Sequence, residues 1–343
     1  MGKLDKDQLY MHRAIELAAR GLGRVSPNPM VGCVIVHNDR IIGEGWHQHY
    51  GEKHAEVNAI NSVNDKSLLK KSTVYVTLEP CSHYGKTPPC ADLLIKYHVR
   101  EVKIAAVDSN PLVGGKGIHR LKEHGVSVST GLLRAEAEEL NRRFFTFIEK
   151  KRPYIVLKWA QTTDGFIARE DYDSKWISCD QSRKLVHKWR AEEASIMVAT
   201  HTAKYDNPRL DARDWSGSNP IRIVIDKKLE LPQSLNLFDG SVPTLCYNIK
   251  KDEKKEGIEW IKLDKDDLMS QLFDDLYKRG IQSVLVEGGA SLHKSLIDAR
   301  MWDESRVFVS NITFGGGIDA ARISLPYKEE LIGKDKLLVY RNM

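Results

Sequence analysis

One histidine and two cysteines define the chemistry this chain can carry. His54-Ala55-Glu56 stands where an amphipathic pattern begins, Glu79-Pro80-Cys81 closes an apolar run, and Pro89-Cys90 opens the next segment. An imidazole and two thiolates are the borderline-soft donors zinc prefers, and such a set leaves the fourth tetrahedral position to a water. Zinc draws the pKa of that water toward about 7, so hydroxide is present at neutral pH. Glu56 follows the histidine by two residues. A carboxylate held beside the ion without binding it can take the water's proton and pass it to a departing amine. Zinc deaminases acting on nucleobases carry this order, His-x-Glu and then Pro-Cys-x-x-Cys. Here the cysteines are nine positions apart, so Ser82–Pro89 must bulge and return to bring both sulfurs to one ion. His-x-Glu alone usually marks a plain helix start, and a pair of intracellular thiols usually packs in a core. The conjunction favours the metal site, because both cysteines follow prolines at predicted helix starts with His-x-Glu upstream. Cys33, Cys179 and Cys246 read as small buried hydrophobes.

An α/β frame must position these residues. Apolar residues at helical spacing between Asp7 and Arg20 (Leu9, Ile15, Leu17, Ala18) predict an amphipathic helix. The turn-rich Ser26-Pro27-Asn28-Pro29 follows, then a strand over Val31–Val36, a hairpin turn at Asn38-Asp39 and a return strand from Ile41-Ile42. The pattern then predicts a helix from Ala55 to Val63 and a strand over Thr73–Leu78. Beyond it come a helix over Ala91–Tyr97, a strand over Val102–Val107, a short helix over Gly117–Glu123, a strand over Val126–Ser129 and a longer helix over Glu136–Glu149. Alternation of this kind indicates a layered α/β domain. Lys150-Lys151-Arg152-Pro153 reads as a boundary, its proline ending the helix and starting an extended segment. Beyond it a second α/β pattern predicts strands over Tyr154–Trp159, Ile196–Ala199, Ile221–Ile225, Thr244–Tyr247, Ser283–Val286 and Val307–Val309. Its helices are expected over Asp180–Glu192, Asp266–Arg279 and Ala290–Asp298. The charged run Lys250–Glu256 reads as a solvated loop.

Bulk properties bound the rest. A chain of 343 residues suits two domains rather than one core. A formal net charge of +5 is small for this length and argues against a dedicated nucleic-acid binder. Five cysteines, an odd and sparse set, suit a reducing compartment. Met1–Tyr10 is charged and carries no apolar leader, and no run approaches a membrane span. The expectation is a soluble, cytoplasmic protein.

The second half is sparser in signals. It lacks G-x-G-x-x-G, the ordinary dinucleotide fingerprint. Its best local feature is Val284-Leu285-Val286-Glu287-Gly288-Gly289-Ala290-Ser291, a strand running through glycines into a helix. Such a junction offers backbone N–H groups and a positive helix end to a phosphate, although most such junctions are plain connections.

The run Thr77-Leu78-Glu79-Pro80-Cys81-Ser82-His83-Tyr84-Gly85-Lys86-Thr87-Pro88-Pro89-Cys90 closely resembles the bifunctional riboflavin-biosynthesis deaminase/reductase family, RibD. Ser26-Pro27-Asn28-Pro29-Met30-Val31-Gly32 and Val107-Asp108-Ser109-Asn110-Pro111 resemble it too, and the likeness covers nearly the whole chain. It implies an N-terminal cytidine-deaminase-like three-layer α/β/α domain over residues 1–150. A C-terminal dihydrofolate-reductase-like α/β domain over residues 151–343 would follow. The wide cysteine spacing is then expected. The implied ligands of one zinc per chain are His54, Cys81 and Cys90, with Glu56 as proton shuttle. Asn28, His47, His83, Lys86, Asp108 and Asn110 are implied around a diamino-pyrimidinone bearing a ribosylamino 5-phosphate. An amide at Asn28 suits a ring edge, and the ammonium of Lys86 suits the phosphate.

For the second half the likeness rests on Lys158-Trp159-Ala160, Asp164-Gly165, Ser174-Lys175-Trp176-Ile177, Leu185–Arg190 and Asp206-Asn207-Pro208-Arg209-Leu210. It implies NADPH at Ala160, Trp176, Thr202, Asp206 and the turn Gly289, Ala290, Ser291, Leu292, His293, Lys294 and Ser295. The reductase substrate is implied at Ser174, Arg190, Leu210, Arg213 and Glu287, the two guanidinium groups suiting a phosphate. Thr162-Thr163-Asp164-Gly165 stands where the family more often has Ser-Leu-Asp-Gly, and Ala199-Thr200-His201-Thr202 lacks the glycine frequent after that strand. The implied chemistry is hydride transfer to C1 of the opened ribosyl group, with Asp206 the nearest proton-donor candidate. The expected partners are a phosphorylated pyrimidine and further copies of this chain, as a dimer or tetramer, with no nucleic acid and no membrane.

Two other readings stay open at this level. The chain could deaminate only, its C-terminal half serving binding or dimerisation, and NADPH oxidation on deaminated substrate separates that case. A base-editing nucleic-acid deaminase would need a basic groove with stacking aromatics near the zinc. The near-neutral balance, and Lys86 suited to a single phosphate, argue against it.

Overall fold

Side chains of Cys33-Val34-Ile35-Val36 alternate between two apolar layers, and that alternation organises the first half of the chain. The structure, a computed structural model, describes residues 5–83, 88–110, 114–174 and 177–342. The chain divides into two compact units, Met1–Lys151 and Arg152–Met343. In the first unit, strands β1 (Gly32–His37), β2 (Arg40–Trp46), β3 (Thr73–Leu78), β4 (Glu101–Ala106) and β5 (Ser127–Thr130) form a sheet in the order β2-β1-β3-β4-β5. β1 is antiparallel to β2 and β3, whereas β3, β4 and β5 are parallel. Helices α1 (Lys6–Ala19), α2 (Ala55–Ser62), α3 (Cys90–Lys96), α4 (Lys116–Glu123), α5 (Arg134–Leu140) and α6 (Arg142–Lys150) flank it. Val34 and Val36 pack with Met11 and Leu17 of α1, Ala137 of α5 and Phe145 of α6. Cys33 and Ile35 pack with Ala59 and Ile60 of α2, Leu94 of α3 and Leu121 of α4. The sheet is thus covered on both faces, a three-layer α/β/α arrangement.

Helix α2 lies close against β2 because Gly45 carries no side chain: a Cβ there would stand 2.3 Å from the Ala59 nitrogen. That approach fixes the helix whose N-cap is His54. The single helix expected over Glu136–Glu149 is two, α5 and α6, with Asn141 between them at φ −96° and ψ 20°. The buried Asn141 amide accepts from Met30 N and donates to Met30 O, both at 2.8 Å. This tertiary pair anchors the Pro27–Met30 turn, and local helix periodicity carries no sign of it.

The second unit follows the same logic on a larger sheet. Its strands are β6 (Tyr154–Gln161), β7 (Phe166–Ala168), β8 (Ser195–Ala199), β9 (Ile221–Ile225), β10 (Thr244–Asn248) and β11 (Glu253–Lys255). They continue with β12 (Ile258–Lys262), β13 (Ser283–Gly288), β14 (Glu304–Val309), β15 (Ile318–Asp319), β16 (Tyr327–Ile332) and β17 (Asp335–Arg341). Ten of them pair in the order β11-β12-β10-β9-β8-β13-β6-β14-β17-β16. The centre, from β12 to β14, is parallel, and β11, β17 and β16 add antiparallel edges. One face packs Leu157, Ile223 and Val286 against α9 (Leu268–Lys278) and α10 (Ala290–Asp298). The other packs Val156, Val198 and Leu285 against Val186 of α7 (Asp180–Glu192) and Ala203 of α8 (Thr200–Asp206).

The strands expected from apolar runs in this unit are all present. Helix α8, strand β12 and the hairpin β16–β17 were not expected. The residues of β16 are mostly exposed, with no apolar face to reveal them. Within the charged run Lys250–Glu256, Glu253–Lys255 forms the exposed edge strand β11, a correction to the solvated loop. Among the described residues no helix is long and apolar enough to cross a membrane.

Candidate functional site

The first unit gathers its chemistry where β3 ends and α2 and α3 begin. β3 is buried along its length and delivers Cys81 after Glu79-Pro80. His54 is the N-cap of α2, and Cys90, behind the N-cap Pro89, opens α3. The His54 Nδ1 atom lies 3.6 Å from Cys81 Sγ and 3.4 Å from Cys90 Sγ. All three donor atoms lie within 4.8 Å of one another. Zinc bonds of about 2.3 Å to sulfur and about 2.05 Å to nitrogen put these donors roughly 3.6 Å apart in a tetrahedron, so the set fits the ion. The two ends of the wide segment between the cysteines meet: Cys90 N donates to Cys81 Sγ at 3.3 Å, and Ala91 N donates to Cys81 O at 3.1 Å. Hydrogen bonding from Cys90, and then from His54, lowers Cys81 below the usual thiol range. That favours the thiolate form that binds metal.

Glu56 is 3% exposed and in hydrogen-bond contact with the Cys90 side chain. Burial, and next the Cys81 thiolate, push its carboxyl up to about 7. A group poised there can both accept and return a proton near neutral pH. Asn28 Nδ2 and His47 Nε2 are 3.1 Å apart, and His47 Nδ1 is 3.1 Å from the Lys53 carbonyl. With Nδ1 donating to that carbonyl, Nε2 accepts from Asn28, so both ring nitrogens are engaged within the protein. Burial keeps His47 low and neutral, and its ring meets that of His54 edge-on at 5.5 Å. Asp108 is half-buried just beyond β4; burial raises its carboxyl, and it feels the charges of Glu79, His83 and Cys81. Asn110 N donates to Asp108 Oδ1 at 2.8 Å. His83 is exposed. Lys86 lies outside the described residues.

The second unit holds a cavity of about 830 Å³ at the ends of β6, β8, β9 and β13. On its floor Glu287 takes a two-pronged bond from Arg190, 2.8 Å at both Nε and Nη2, and Lys158 Nζ stands 3.8 Å away. Burial alone would raise the Glu287 carboxyl, but Arg190 and Lys158 override it and hold it at about 2. Burial lowers Lys158 against the pull of Glu287. Arg190 also donates to the Asp211 carbonyl at 3.1 Å, and the half-exposed Arg213 pairs with the Asp211 carboxylate at 2.5 Å. Ser174 and Leu210 complete this side of the lining, Ser174 Oγ standing 3.4 Å from Asp206 Oδ1.

Of the residues expected at the cofactor, Ala160, Thr202, Asp206, Gly289, Ala290, Ser291 and His293 line the cavity. The Gly288–Gly289 peptide is cis, and a Cβ on Gly289 would meet Thr202 Oγ1 at 3.0 Å. His293 is buried, donates from Nε2 to the Val286 carbonyl at 3.0 Å and packs on Trp159, so burial pushes it down to about 4. Leu292 instead packs in the core, while Lys294 and Ser295 are exposed further along α10, away from the lining. Trp176 lies outside the described residues. Lys158, part of a family-like run in the sequence, stands in the cavity wall. Its signal was a lone lysine inside an otherwise apolar strand. Tyr172 and Tyr205, stacked at 4.3 Å on the cavity rim, gave no signal in the sequence.

The fold and the two sites together define a two-domain enzyme class, a cytidine-deaminase-like zinc domain followed by a reductase domain of dihydrofolate-reductase-like fold. Residues 4–106 match the cytidine and deoxycytidylate deaminase zinc-binding region, and residues 153–325 match the RibD C-terminal domain. The riboflavin biosynthesis protein RibD of Bacillus amyloliquefaciens is 44% identical over 328 residues, covering 93% of this chain and 88% of that protein. The protein of the same name from Escherichia coli K12 is 37% identical over 350 residues, covering 95% and 93%. A crystal structure from Thermotoga maritima superposes with a TM-score of 0.89 at 38% identity, covering 98% of each chain. That protein is described as a diaminohydroxyphosphoribosylaminopyrimidine deaminase/5-amino-6-(5-phosphoribosylamino)uracil reductase. This chain belongs to the RibD family of bifunctional riboflavin-biosynthesis enzymes.

Proposed function

We propose that the chain catalyses two consecutive steps of riboflavin biosynthesis on one small phosphorylated pyrimidine. Residues 1–150 deaminate 2,5-diamino-6-ribosylamino-4(3H)-pyrimidinone 5-phosphate. Residues 151–343 then reduce the ribosyl group to ribityl with NADPH, giving 5-amino-6-ribitylamino-uracil 5-phosphate. The observation that carries the reading is the His54, Cys81 and Cys90 donor set with buried Glu56 against it.

In the first step bound zinc supplies the Lewis acidity that makes a water nucleophilic near neutral pH. Glu56 takes a proton from the attacking oxygen and returns it to the amine as the carbon–nitrogen bond breaks, so water is consumed and ammonia leaves. Asn28, oriented by His47, addresses a ring edge, and Asp108, Asn110 and His83 hold the rest of the substrate. Lys86 is assigned to the phosphate.

In the second step bound NADPH supplies the hydride. Ala160, Thr202, Asp206 and the turn Gly289–Ser291 face the cofactor, with Trp176 and His293 its further assigned neighbours. Arg213, half-exposed at the cavity, can close its fork on the substrate phosphate. Arg190, tied to Glu287, shapes the wall, Ser174 and Leu210 complete the substrate side, and Lys158 offers N–H donors to a substrate oxygen. The chain is assigned to the cytoplasm as a dimer or tetramer, which light scattering on the purified protein tests.

The deciding assay supplies the diamino-pyrimidinone phosphate and follows ammonia release and NADPH loss in one sample, with metal analysis. Ammonia and NADPH oxidation in equal amounts are expected, with one zinc per chain. Ammonia release without NADPH loss would leave only the deaminase half. Zinc-loaded protein releasing no ammonia would overturn the first step.

A further inference from the structure

Glu79 sits between the end of β3 and the zinc ligand Cys81, and it is 6% exposed. A carboxylate buried there must be matched by donors or its desolvation is not recovered. Among the described residues it is matched by backbone N–H groups. Oε2 accepts from Asp108 N at 3.3 Å and from Gly115 N at 2.9 Å, while Oε1 accepts from Gly117 N at 2.9 Å and Ile118 N at 3.2 Å. The last two are first-turn N–H groups of α4, which no carbonyl inside that helix can satisfy. The two segments also touch directly: a Cβ on Gly117 would stand 2.0 Å from the Pro80 carbonyl oxygen. On the far side of this clamp, Asp108 lies just beyond β4, the strand that runs parallel beside the β3 that delivers Cys81.

We propose that Glu79 is a positioning residue for the deamination. Its carboxylate ties the segment that carries Cys81 to the segment that carries Asp108 and Asn110, so metal and substrate-facing side chains keep a fixed spacing. This deepens the deaminase reading and rests on it. Among the described residues the side-chain hydrogen bonds of Glu79 run to backbone N–H groups, and it acts through the backbone it holds. Glu79→Gln is the informative change. It keeps the shape but places an amide NH2 where a carboxylate oxygen was, so one pair of N–H donors meets a donor whichever way the amide turns. Half of the clamp is lost while the chain stays intact.

The experiment uses the full-length zinc-loaded chain and four readouts: metal content, reductase turnover on deaminated substrate, deaminase KM and kcat, and amide hydrogen exchange. Glu79→Gln is expected to keep its zinc and wild-type reductase turnover. The amides of one pair, either Asp108 and Gly115 or Gly117 and Ile118, should exchange faster by about tenfold, the factor that one lost charged hydrogen bond of about 1.4 kcal/mol corresponds to. Deaminase KM should rise by about tenfold with kcat changed less than about threefold, the signature of weakened substrate placement. Glu79→Asp keeps the charge but withdraws it by one methylene; it should show the same pattern at smaller size, and it carries the test if the glutamine variant does not fold.

Protected amides in both variants would overturn the proposal, as would exposed amides with an unchanged KM. Loss of zinc in step with kcat would also overturn it, by assigning Glu79 to the metal segment alone. A wild-type chain that releases no ammonia would instead overturn the deaminase reading, and the exchange data would still judge the clamp.

Discussion

Arg190→Met perturbs the buried charge cluster of the second unit in a way the structure makes quantitative. Glu287 is 8% exposed at its side chain and is held at about 2 rather than the usual 4.5, against a burial that would raise it. That difference is worth roughly 3 kcal/mol of folded-state stability at neutral pH. The charge of Arg190 supplies the first share of it and that of Lys158, 3.8 Å away, the second, with the two Arg190 bonds of 2.8 Å adding to them. Methionine fills much of the same volume without charge, leaving the carboxylate buried with only the lysine. Breaking one partner of a buried pair costs about 3–5 kcal/mol, and the remaining lysine puts this case near 3. The measurement is urea unfolding followed by tryptophan fluorescence, since Trp189 of α7 packs within this unit against Phe308. Because the folded carboxyl is depressed, its stabilisation is complete above 4.5 and is lost as pH falls toward 2. The gap between wild type and Arg190→Met should therefore be widest at pH 7 and close in acid. Glu287→Gln added to Arg190→Met removes the orphaned carboxylate but also takes the partner of Lys158, whose ammonium burial already disfavours, so it should restore part of the loss. A single variant within about 1 kcal/mol of wild type at neutral pH, or a double variant no more stable than the single one, refutes the reasoning.

Three further outcomes are expected. Glu56→Gln should lower deamination by about 10²–10⁴ in kcat, the usual worth of a positioned acid–base group, while metal analysis still finds zinc; normal turnover would remove Glu56 as the shuttle. Cys90→Ser should lose metal on dialysis, since it deletes one of the three donors within 4.8 Å, and full zinc occupancy would show the ligand set is wrong. Gly45→Ala forces a Cβ to 2.3 Å from the Ala59 nitrogen and should destabilise the first unit by about 1–3 kcal/mol, with zinc affinity falling as α2 is pushed off; an unchanged melting temperature would refute the close approach.

The zinc donors were legible because their residue types are few and their contexts unusual: proline before each cysteine, and a carboxylate two residues past the histidine. The core strands were legible as well, since Tyr154–Trp159 or Ser283–Val286 can hardly be anything else at that apolar density. What escaped was tertiary. Asn141 splits a predicted helix because its amide is bound to Met30, 111 residues away in sequence. The edge strands β11 and β16 carry mostly exposed side chains that follow no apolar pattern. Glu79 and Lys158 were visible but unweighted. Each is a charged residue in or at the end of an apolar strand, and such a position demands a partner.

Within each unit, several residues assigned to a site fall at the same structural address. In the first, Cys81 and Asp108 follow the parallel strands β3 and β4. In the second, Thr202 and the Gly288–Gly289 junction lie at or beyond the ends of the parallel strands β8 and β13. The carboxyl ends of parallel strands leave backbone unpaired and open directly into helix starts, so short loops there can aim side chains and N–H groups at a ligand without disturbing the core. That address explains why family-like runs cluster just after predicted strands. It also yields a working rule for this chain: a polar residue within about three positions of the end of a buried parallel strand is first to be tested as part of a site, or as the clamp that holds one.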